Sequence, residues 1–376
     1  MPPAFDVQSA SILRDELLKP YTTFKVGGPA RFFIPARSID EARNGVAFAG
    51  NQNLPLFILG GGSNILVSDR GFPGKVVHPV FQGIFPVHED EETVTLEVNA
   101  GEAWDDVVSY AVEKGWWGIE NLSHIPGQVG AALVQNIGAY GQEVGNVAHS
   151  AEVVEIATGS VRVLSAADCD LGYRRSIFNT TARGQFIIVR LSLQLRKHGL
   201  PRLNYPDVQD YFQEREIAQP SLREIREGII SIRDRKFPFP REERGGNAGS
   251  FFKNLALTAT EYEMLLERVR RDFPERDLAG LEEIRSRTRS PVPIKIPTAF
   301  LIDICGLKGY CIGGAQVNDA QPLVLLNRGG ATAQDVLALA QHVRRTVHHR
   351  TGMTVAIEPE LVGFTKEEIY DFSKVE

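Results

Sequence analysis

Two loops of small residues constrain the fold of this chain more than any other feature of its sequence. One is LGGGSN (59–64), which ends a short apolar run, and the other is NLSHIPGQVGAALVQNIGAYGQEVG (121–145), which is rich in glycine and nearly free of charge. Small side chains let backbone N–H groups approach a ligand closely, an arrangement that suits a diphosphate. Neither loop contains Lys or Arg. The sequence therefore predicts either a large nucleotide cofactor held by main chain or tight packing around turns.

The elements around these loops favour an α+β fold over a regular βαβ array. Strands predominate from about 75 to 196, with helices interspersed irregularly. Within this region Thr158 and Gly159 separate two alternating runs, which predicts a hairpin.

The clearest helix is predicted over 331–352. Thr332 and Asp335 can cap its start, and Gly352 is the residue type expected just past its end. A strand is predicted to follow at 353–363.

Composition and motifs exclude several classes of protein. The net charge is −6 without a basic block, which argues against a nucleic-acid partner or an anionic membrane surface. A P-loop, a Rossmann fingerprint, an HExxH site and a GxSxG elbow are all missing from the sequence, and no metal site is expected. Three cysteines without a CxxC pair, no visible signal peptide and no apolar run of membrane length favour a cytoplasmic protein with no membrane partner.

Three further motifs carry side chains suited to chemistry. GYRRSIF (172–178) places Arg174 beside an aromatic residue, where it can clamp a carboxylate or phosphate, although a surface ion pair is the simpler interpretation. GGNAGSFFKN (245–254) presents the hydroxyl of Ser250 among small residues, with no His nearby in the sequence. AIEPEL (356–361) brings two acids to a strand end, where either catalysis or simple solvent exposure can explain them.

Read together, five stretches resemble the UDP-N-acetylenolpyruvoylglucosamine reductases, the MurB family. They are LGGGSNILVSD, GIENLSHIPGQVGAALVQNIGAYG, GYRRSIF, GGNAGSFFKN and AIEPEL, which occur in the family's order between about 22 and 361. The segment RLNYPDV resembles the tyrosine-bearing loop of the longer class of that family.

The resemblance implies an FAD enzyme of peptidoglycan precursor synthesis. Such an enzyme reduces the enolpyruvyl ether of UDP-N-acetylglucosamine-enolpyruvate to UDP-N-acetylmuramate, and hydride passes from NADPH to FAD to the alkene. The implied partner is a UDP-sugar, and a monomer is expected.

The family's fold implies an α+β chain with a two-subdomain FAD-binding half of the vanillyl-alcohol-oxidase type and a separate substrate-binding domain. We expect the first FAD-binding subdomain at 1–75, completed by 353–376, and the second at 76–197. An inserted segment with the tyrosine-bearing loop and a linker is expected at 198–240, and the substrate-binding domain at 241–352.

Site residues carry over by position in the matched motifs. The implied catalytic residues are Arg174 as the cation, Glu360 as the acid at the enol intermediate, with a pKa raised by burial, and Ser250 as the proton donor. The implied FAD-binding residues are Gly60, Gly61, Gly62, Ser63, Asn64, Ile125, Pro126, Gly127, Gly130, Asn136, Gly138, Ala139 and Ile188. The implied substrate-binding residues are Tyr140, Tyr173, Tyr205, Lys236, Asn254 and Gln321.

The chain departs from the family pattern without touching the three catalytic positions. The departures are Ala131 and Ala132 in place of serines, Arg175 in place of an acid, Pro206 in place of a glycine and Leu255 in place of a proline. Two alternatives stay open at this stage: another flavin oxidoreductase on the same scaffold, and a UDP-sugar-binding protein that has lost its flavin.

Overall fold

Two structural units, built from interleaved segments of the chain, account for the described residues. The computed structural model describes residues 12–50, 54–236, 245–287 and 292–374. Contacts assign the described residues of 1–16, 30–62 and 72–235 to the first unit, and those of 17–29, 63–71 and 236–376 to the second. The four boundaries expected from the sequence stay a prediction.

Regular elements follow one another along the whole chain. The strands are β1 (Leu13–Leu17), β2 (Pro29–Ala36), β3 (Leu56–Ile58), β4 (Ile65–Val67), β5 (Phe72–Pro79), β6 (Ile84–Glu89), β7 (Thr93–Asn99), β8 (Gly138–Ala139), β9 (Gln142–Glu143), β10 (Ala148–Glu155), β11 (Val161–Ser165), β12 (Phe186–Arg196), β13 (Leu255–Leu257), β14 (Ile294–Ile296), β15 (Cys311–Ile312), β16 (Ala315–Val317), β17 (Leu325–Asn327) and β18 (Glu360–Val362). The helices are α1 (Ile39–Gly50), α2 (Trp104–Glu113), α3 (Val129–Val134), α4 (Pro206–Gln213), α5 (Leu222–Lys236), α6 (Ala259–Asp272), α7 (Glu275–Arg287), α8 (Thr298–Ile304), α9 (Ala333–Thr351) and α10 (Lys366–Ser373).

Two sheets form the frame of the first unit. A four-stranded sheet has the order β1-β2-β5-β3, with β2 and β3 parallel to β5. A five-stranded antiparallel sheet has the order β11-β10-β12-β7-β6. The central strand of the second sheet, β12, is apolar over most of its length, and it packs with α2 and α3 in one core. The strand-rich order predicted for 75–196 is thus confirmed.

The predicted hairpin is present between β10 and β11. Val154 pairs with Val161 at its closed end, and Gly159 has a φ of +69°, a left-handed conformation that suits a residue without a Cβ. Local turn chemistry was sufficient to locate it.

The segment at 198–240 contains more structure than its Pro-rich, charged sequence indicated. Helices α4 and α5 bury Val208 and Phe212 against Ile225, Ile229 and Ile232, in a small core that also includes Tyr140. Spacings of three and four residues place the isoleucines on one face of α5. The expected linker is therefore a packed helical pair over most of its length, and residues 237–244 lie outside the described part of the chain.

In the second unit, helix α9 is the centre of the largest core. Thr332 and Asp335 form a capping box at its start, and Gly352 ends it with a φ of +75°. This confirms the helix predicted from capping signals and apolar spacing.

The strand predicted at 353–363 is shorter than expected. Only Glu360–Val362 form β18, which pairs in parallel with β4. Pro359 precedes this strand and has no N–H to donate to a ladder, so regular pairing begins only after it.

The described residues include no helix long and apolar enough to cross a membrane. In the same ranges, no three His, Cys, Asp or Glu side chains are grouped as a metal site requires.

Candidate active site

The two glycine loops of the first unit touch each other. A Cβ on Gly60 would lie 2.6 Å from the Cβ of Ala131, and a Cβ on Gly61 would lie 2.6 Å from the Cα of Gly127. Contacts this short leave no room for a side chain, so both glycines are required by the approach of the loops. Ala131, one of the departures from the family pattern, occupies this contact with a side chain that fits.

Backbone donors line the place where the loops meet. Within the described residues, the N–H groups of Gly60, Gly61 and Gly127 form no hydrogen bond to the protein. Three such donors close together suit the oxygens of a diphosphate. The loops therefore fit the nucleotide cofactor expected from the sequence.

The other predicted cofactor residues divide between the two units. Ile188 is buried on β12, and its carbonyl oxygen lies 3.4 Å from where a Cβ on Gly130 would stand. Ser63 and Asn64 belong to the second unit, where the Asn64 carbonyl accepts a hydrogen bond of 3.0 Å from the N–H of Glu360.

Arg174 lies at the tip of a tight turn. Gly172 and Arg175 exchange both backbone hydrogen bonds, at 2.9 and 3.0 Å, so Tyr173 and Arg174 are the two central residues. Arg174 has a φ of +53°, and a guanidinium N–H donates to the Gly138 carbonyl across 3.0 Å. The structure thus joins the Arg174 turn to the second glycine loop, which the sequence did not show.

Asn136 holds this turn from the loop side. Its amide donates to the Gly172 carbonyl and to the Glu143 carboxylate, each at 2.9 Å, and accepts from the N–H of Gly145 at 2.7 Å. The side chain is buried, so its hydrogen bonds are all made within the protein.

Three predicted tyrosines belong to one cluster, and one of them, Tyr173, contacts Arg174. The rings of Tyr140 and Tyr205 meet edge to face with centroids 5.3 Å apart, and the Arg174 guanidinium lies 5.6 Å from the centre of the Tyr173 ring. Burial raises the pKa of Tyr140 to about 12. Burial also raises the pKa of Tyr205, and the negative charge of Asp207 adds to this. Both phenols therefore stay protonated at neutral pH and can donate hydrogen bonds.

A second arginine, Arg233 on α5, joins the cluster and was missed by the sequence analysis. Its Nε donates to the His124 carbonyl across 3.0 Å, and its side chain also hydrogen-bonds Tyr140. Burial lowers the pKa of Arg233, and repulsion from Arg174 acts in the same direction. The available signal was its place next to Ile232 at the end of an apolar helical stripe, where a solvated cation is not expected.

Asp105, at the start of α2, fixes the elements that carry Arg233. Its carboxylate accepts two hydrogen bonds from Arg226, at 2.6 and 2.9 Å, and one from the His124 N–H at 2.5 Å. Burial by itself would raise the pKa of Asp105, but the hydrogen bonds from His124 and Arg226 outweigh it and hold the pKa well below its usual range.

The site loops contain unusual backbone conformations. Of the eight described non-glycine residues with positive φ, four are His124 (+61°), Asn136 (+43°), Tyr140 (+47°) and Arg174 (+53°). Such conformations cost free energy and persist where surrounding contacts fix them, which is common at ligand sites.

In the second unit the Ser250 motif pairs with the Glu360 motif. Phe252 and Ile357 form an antiparallel bridge, and the Glu358 N–H donates to the Phe251 carbonyl at 2.9 Å. Phe251 and Phe252 are fully buried and anchor the segment. The chain path therefore brings Ser250, just before one strand of this pairing, near the end of the other, which leads to Glu360.

The two catalytic candidates of the second unit differ in exposure. Ser250 is half-buried, and its hydroxyl forms no hydrogen bond within the described ranges. Glu360 is exposed, so the burial expected for its carboxyl is absent from its own unit. Its strand begins directly after Pro359 and has only three residues, so little of the unit covers it.

The remaining predicted substrate residues also lie in the second unit. Asn254 accepts a hydrogen bond of 3.1 Å from the Thr298 N–H, and Asn318 donates to the Lys236 carbonyl at 3.2 Å. The Gln321 carbonyl accepts from the Val324 N–H at 2.9 Å. Arg174 and the tyrosines lie in the first unit, whereas Ser250, Glu360 and these residues lie in the second.

Comparisons with known proteins match both parts of the chain. The family profile described as "FAD binding domain" matches residues 29–165, and the one described as "UDP-N-acetylenolpyruvoylglucosamine reductase, C-terminal domain" matches 240–362. UDP-N-acetylenolpyruvoylglucosamine reductase of Burkholderia ambifaria is 40% identical over 367 residues, which cover 96% of this chain and 99% of the relative. The Neisseria gonorrhoeae protein of the same name is 39% identical over 346 residues, with coverages of 91% and 95%.

A solved structure agrees with these matches at the level of fold. UDP-N-acetylenolpyruvylglucosamine reductase from Thermus caldophilus superposes with a TM-score of 0.60 at 24% identity, and covers 94% of this chain and 98% of its own. The expected fold class is thereby confirmed: an α+β chain with an FAD-binding half and a separate C-terminal domain.

Proposed function

Because the chain belongs to the UDP-N-acetylenolpyruvoylglucosamine reductase family, we propose that it reduces the enolpyruvyl ether of UDP-N-acetylglucosamine-enolpyruvate to UDP-N-acetylmuramate, with NADPH as the reductant. The chain is an FAD-containing oxidoreductase of peptidoglycan precursor synthesis. The observation that carries the proposal for this chain is the hydrogen bond from Arg174 to the loop at Gly138, because it fixes a cation beside the predicted cofactor loop.

Bound FAD supplies the hydride that reduces the alkene. The N–H groups of Gly60, Gly61 and Gly127 are the donors that would hold its diphosphate, since they are close together and unused within the described chain. The other predicted contacts would come from Gly62, Ser63, Asn64, Ile125, Pro126, Gly130, Gly138, Ala139 and Ile188. For Asn136 we propose a supporting role, because its amide is occupied by the Arg174 turn and the neighbouring loop.

Arg174 would stabilise the negative charge that develops on the substrate. Addition of hydride to the terminal carbon of the alkene shifts electron density onto the conjugated carboxylate, as an enediolate. A guanidinium already fixed in place stabilises this charge without reorganising during the reaction. The left-handed turn and the bond to the Gly138 carbonyl provide that fixed position.

Ser250 would deliver the proton that completes the reduction at the second carbon. Its hydroxyl has no protein acceptor within the described residues, so its O–H is not directed elsewhere. A hydroxyl can act in this way without an adjacent His if it recovers its proton from solvent or from a neighbouring group. Glu360 would share or donate a proton at the enediolate.

The tyrosine cluster would bind the anionic part of the UDP-sugar. Tyr140 and Tyr205 keep their phenolic protons at neutral pH, and the Arg233 cation lies beside them. Protonated phenols and a guanidinium together suit phosphate oxygens. Tyr173, Lys236, Asn254 and Gln321 would complete the substrate contacts.

The test uses the colour of the purified protein. We expect bound FAD to give a yellow protein, NADPH to bleach it anaerobically, and the enolpyruvyl sugar to restore the colour with formation of UDP-N-acetylmuramate. Failure to bind added FAD would overturn the assignment as a flavoenzyme. Bleaching by NADPH followed by reoxidation that is independent of the enolpyruvyl sugar would overturn the proposed substrate.

A further inference from the structure

Asn121 is a fully buried side chain that contacts two segments carrying tyrosines of the cluster. It lies in a 3-10 turn, Glu120–Leu122, and has no exposed surface. Its Nδ2 donates one hydrogen bond to the Tyr140 carbonyl and one to the Arg202 carbonyl, both at 2.9 Å. Arg202 lies three positions before Tyr205, so the amide joins the backbones that carry the two rings.

The orientation of this amide is determined by its partners. Two carbonyl oxygens face the same atom, and only an NH2 group can donate to both of them. The Asn121 Oδ1 is buried and accepts no hydrogen bond from the described residues. The two donors are therefore the whole hydrogen-bonding contribution of the side chain, and both are directed to the tyrosine segments.

The surrounding polar network prevents Asn121 from moving. Its backbone N–H donates to Gln142 Oε1 at 2.8 Å, and Gln142 Nε2 donates to Glu120 Oε1 at 2.7 Å. Glu120 in turn accepts from the Gly118 N–H at 2.7 Å. Because Glu120, Asn121 and Gln142 are all buried, water does not compete for these bonds, and the network fixes the point from which both tyrosine segments are held.

Tyr205 is connected to this point by a short and stiff piece of chain. It is the N-cap residue of α4, and Pro206 occupies the first helical position. Between the bonded Arg202 carbonyl and this cap there are only Leu203 and Asn204. The position of the Tyr205 ring against Tyr140, edge to face at 5.3 Å, is therefore limited at one end by Asn121 and at the other by the helix.

We propose that Asn121 is a positioning residue, which sets the spacing of Tyr140 and Tyr205 and through it the affinity for the UDP-sugar. The substrate part of this inference rests on the proposed function. Because the Asn121 side chain is fully buried and directed at two backbone carbonyls, its effect is on substrate affinity and not on the chemical step.

The decisive variants are Asn121→Asp and Asn121→Ala. Aspartate keeps the shape but directs a carboxylate oxygen at two carbonyl oxygens, so the Arg202 segment is repelled. We expect the KM for the enolpyruvyl sugar to rise at least tenfold in both variants. FAD content and the rate of flavin reduction by NADPH without sugar should stay within twofold of wild type. A protonated aspartic acid can donate one hydrogen bond, so lowering the pH should restore part of the affinity of Asn121→Asp but not of Asn121→Ala.

The matched control is Asn99→Asp, in the same unit. Asn99 Nδ2 also donates to a backbone carbonyl, that of Gln82 at 2.9 Å, and its Oδ1 accepts from Arg190 Nε at 3.3 Å, so its side-chain hydrogen bonds within the described residues do not reach the tyrosine segments. We expect this variant to keep the KM of wild type. An unchanged KM in both Asn121 variants, or an equal loss of flavin reduction and sugar reduction, would overturn the positioning role.

Hydrogen exchange separates this inference from the proposed function. Without any substrate, the amides of Val208 and Gln209, which donate to the Tyr205 carbonyl at 2.9 Å, should exchange at least tenfold faster in Asn121→Asp than in wild type, while those of α2 should not change. If wild type shows no reaction with the sugar, the proposed function fails, and the exchange measurement still decides whether Asn121 anchors the segment. Unchanged exchange at Val208 and Gln209 would overturn the anchor itself.

Discussion

Arg174 donates a hydrogen bond of 3.0 Å to the carbonyl oxygen of Gly138, 36 positions earlier in the chain. This bond connects the predicted catalytic cation to the loop predicted to hold the cofactor. It also restricts the guanidinium, whose backbone is already in a left-handed turn.

Replacing Arg174 by Lys tests the geometry of the cation apart from its charge. Lysine keeps the charge but lacks the planar fork that can bind the loop carbonyl and a carboxylate together. We expect kcat for sugar reduction to fall about 100-fold, with FAD content and flavin reduction by NADPH unchanged. Steady-state absorbance measures kcat, and stopped-flow absorbance measures the reduction of the flavin by NADPH. Arg175→Ala is the control, because Arg175 forms an exposed ion pair with Asp170; a comparable loss in that variant would contradict a specific role for Arg174.

Replacing Ser250 by Ala should separate the two half-reactions. The variant loses the proposed proton donor, and general acid catalysis typically contributes about 100- to 10,000-fold to a rate. Bleaching of the flavin by NADPH should survive, whereas its reoxidation by the enolpyruvyl sugar should slow by that order. Ser165→Ala on the exposed hairpin is the control. A parallel fall in both half-reactions would mean that Ser250 has a structural role instead.

Adding a methyl group to Gly61 should expel the cofactor. The new Cβ would lie 2.6 Å from the Cα of Gly127, and backbone on both sides cannot yield without opening the loops. We expect Gly61→Ala to be purified with little FAD, and titration of the apoprotein to show a Kd raised at least 100-fold. Gly159→Ala, in the hairpin turn with open space around it, should keep its FAD. Normal flavin content in Gly61→Ala would contradict the proposed cradle.

The Asp105 carboxylate should stabilise the first unit in a pH-dependent way. Hydrogen bonds from His124 and Arg226 hold the pKa of the folded carboxyl below its value in the unfolded chain. The stabilisation is therefore complete above about pH 4, the ordinary pKa of an aspartate, and is lost as the pH falls further toward the folded pKa. Asp105→Asn should lower the free energy of unfolding by about 2 kcal/mol at pH 7.

Urea unfolding between pH 7 and pH 3 measures this difference. The difference in the free energy of unfolding between wild type and Asp105→Asn should be constant down to about pH 4 and should decrease below it. If this difference increased on acidification, the pKa of Asp105 would not be lowered by folding and the prediction would be wrong. Arg226→Gln should cause most of the same decrease in the free energy of unfolding, because the Arg226 and Asp105 side chains are only 16% and 29% exposed.

Part of the site was predictable from the sequence because its signals are local. The glycines at 60, 61 and 127 indicate that backbone segments approach each other closely. The order of the motifs along the chain identified the family. The segment around Ser250 also contains its own anchor, since Phe251 and Phe252, which follow it directly, are fully buried. None of these signals required knowledge of a distant partner.

The burial expected for Glu360 was inferred from chemistry alone and stays a prediction. A carboxylic acid that donates a proton near neutral pH needs a raised pKa, but whether its surroundings are dry depends on which elements cover it. In its own unit, the three-residue strand that begins with Glu360 leaves it exposed.

The sequence by itself determined the capped helix α9, the hairpin at Gly159, the glycine loops and the family, because each depends on residues a few positions apart. Only the tertiary structure decided that Arg233 reaches the His124 carbonyl over 109 positions, and that Asn121 bonds to a carbonyl 81 positions away. The physical reason is that the N–H donors of a buried polar side chain need acceptors, and these acceptors come from segments whose approach no local pattern encodes.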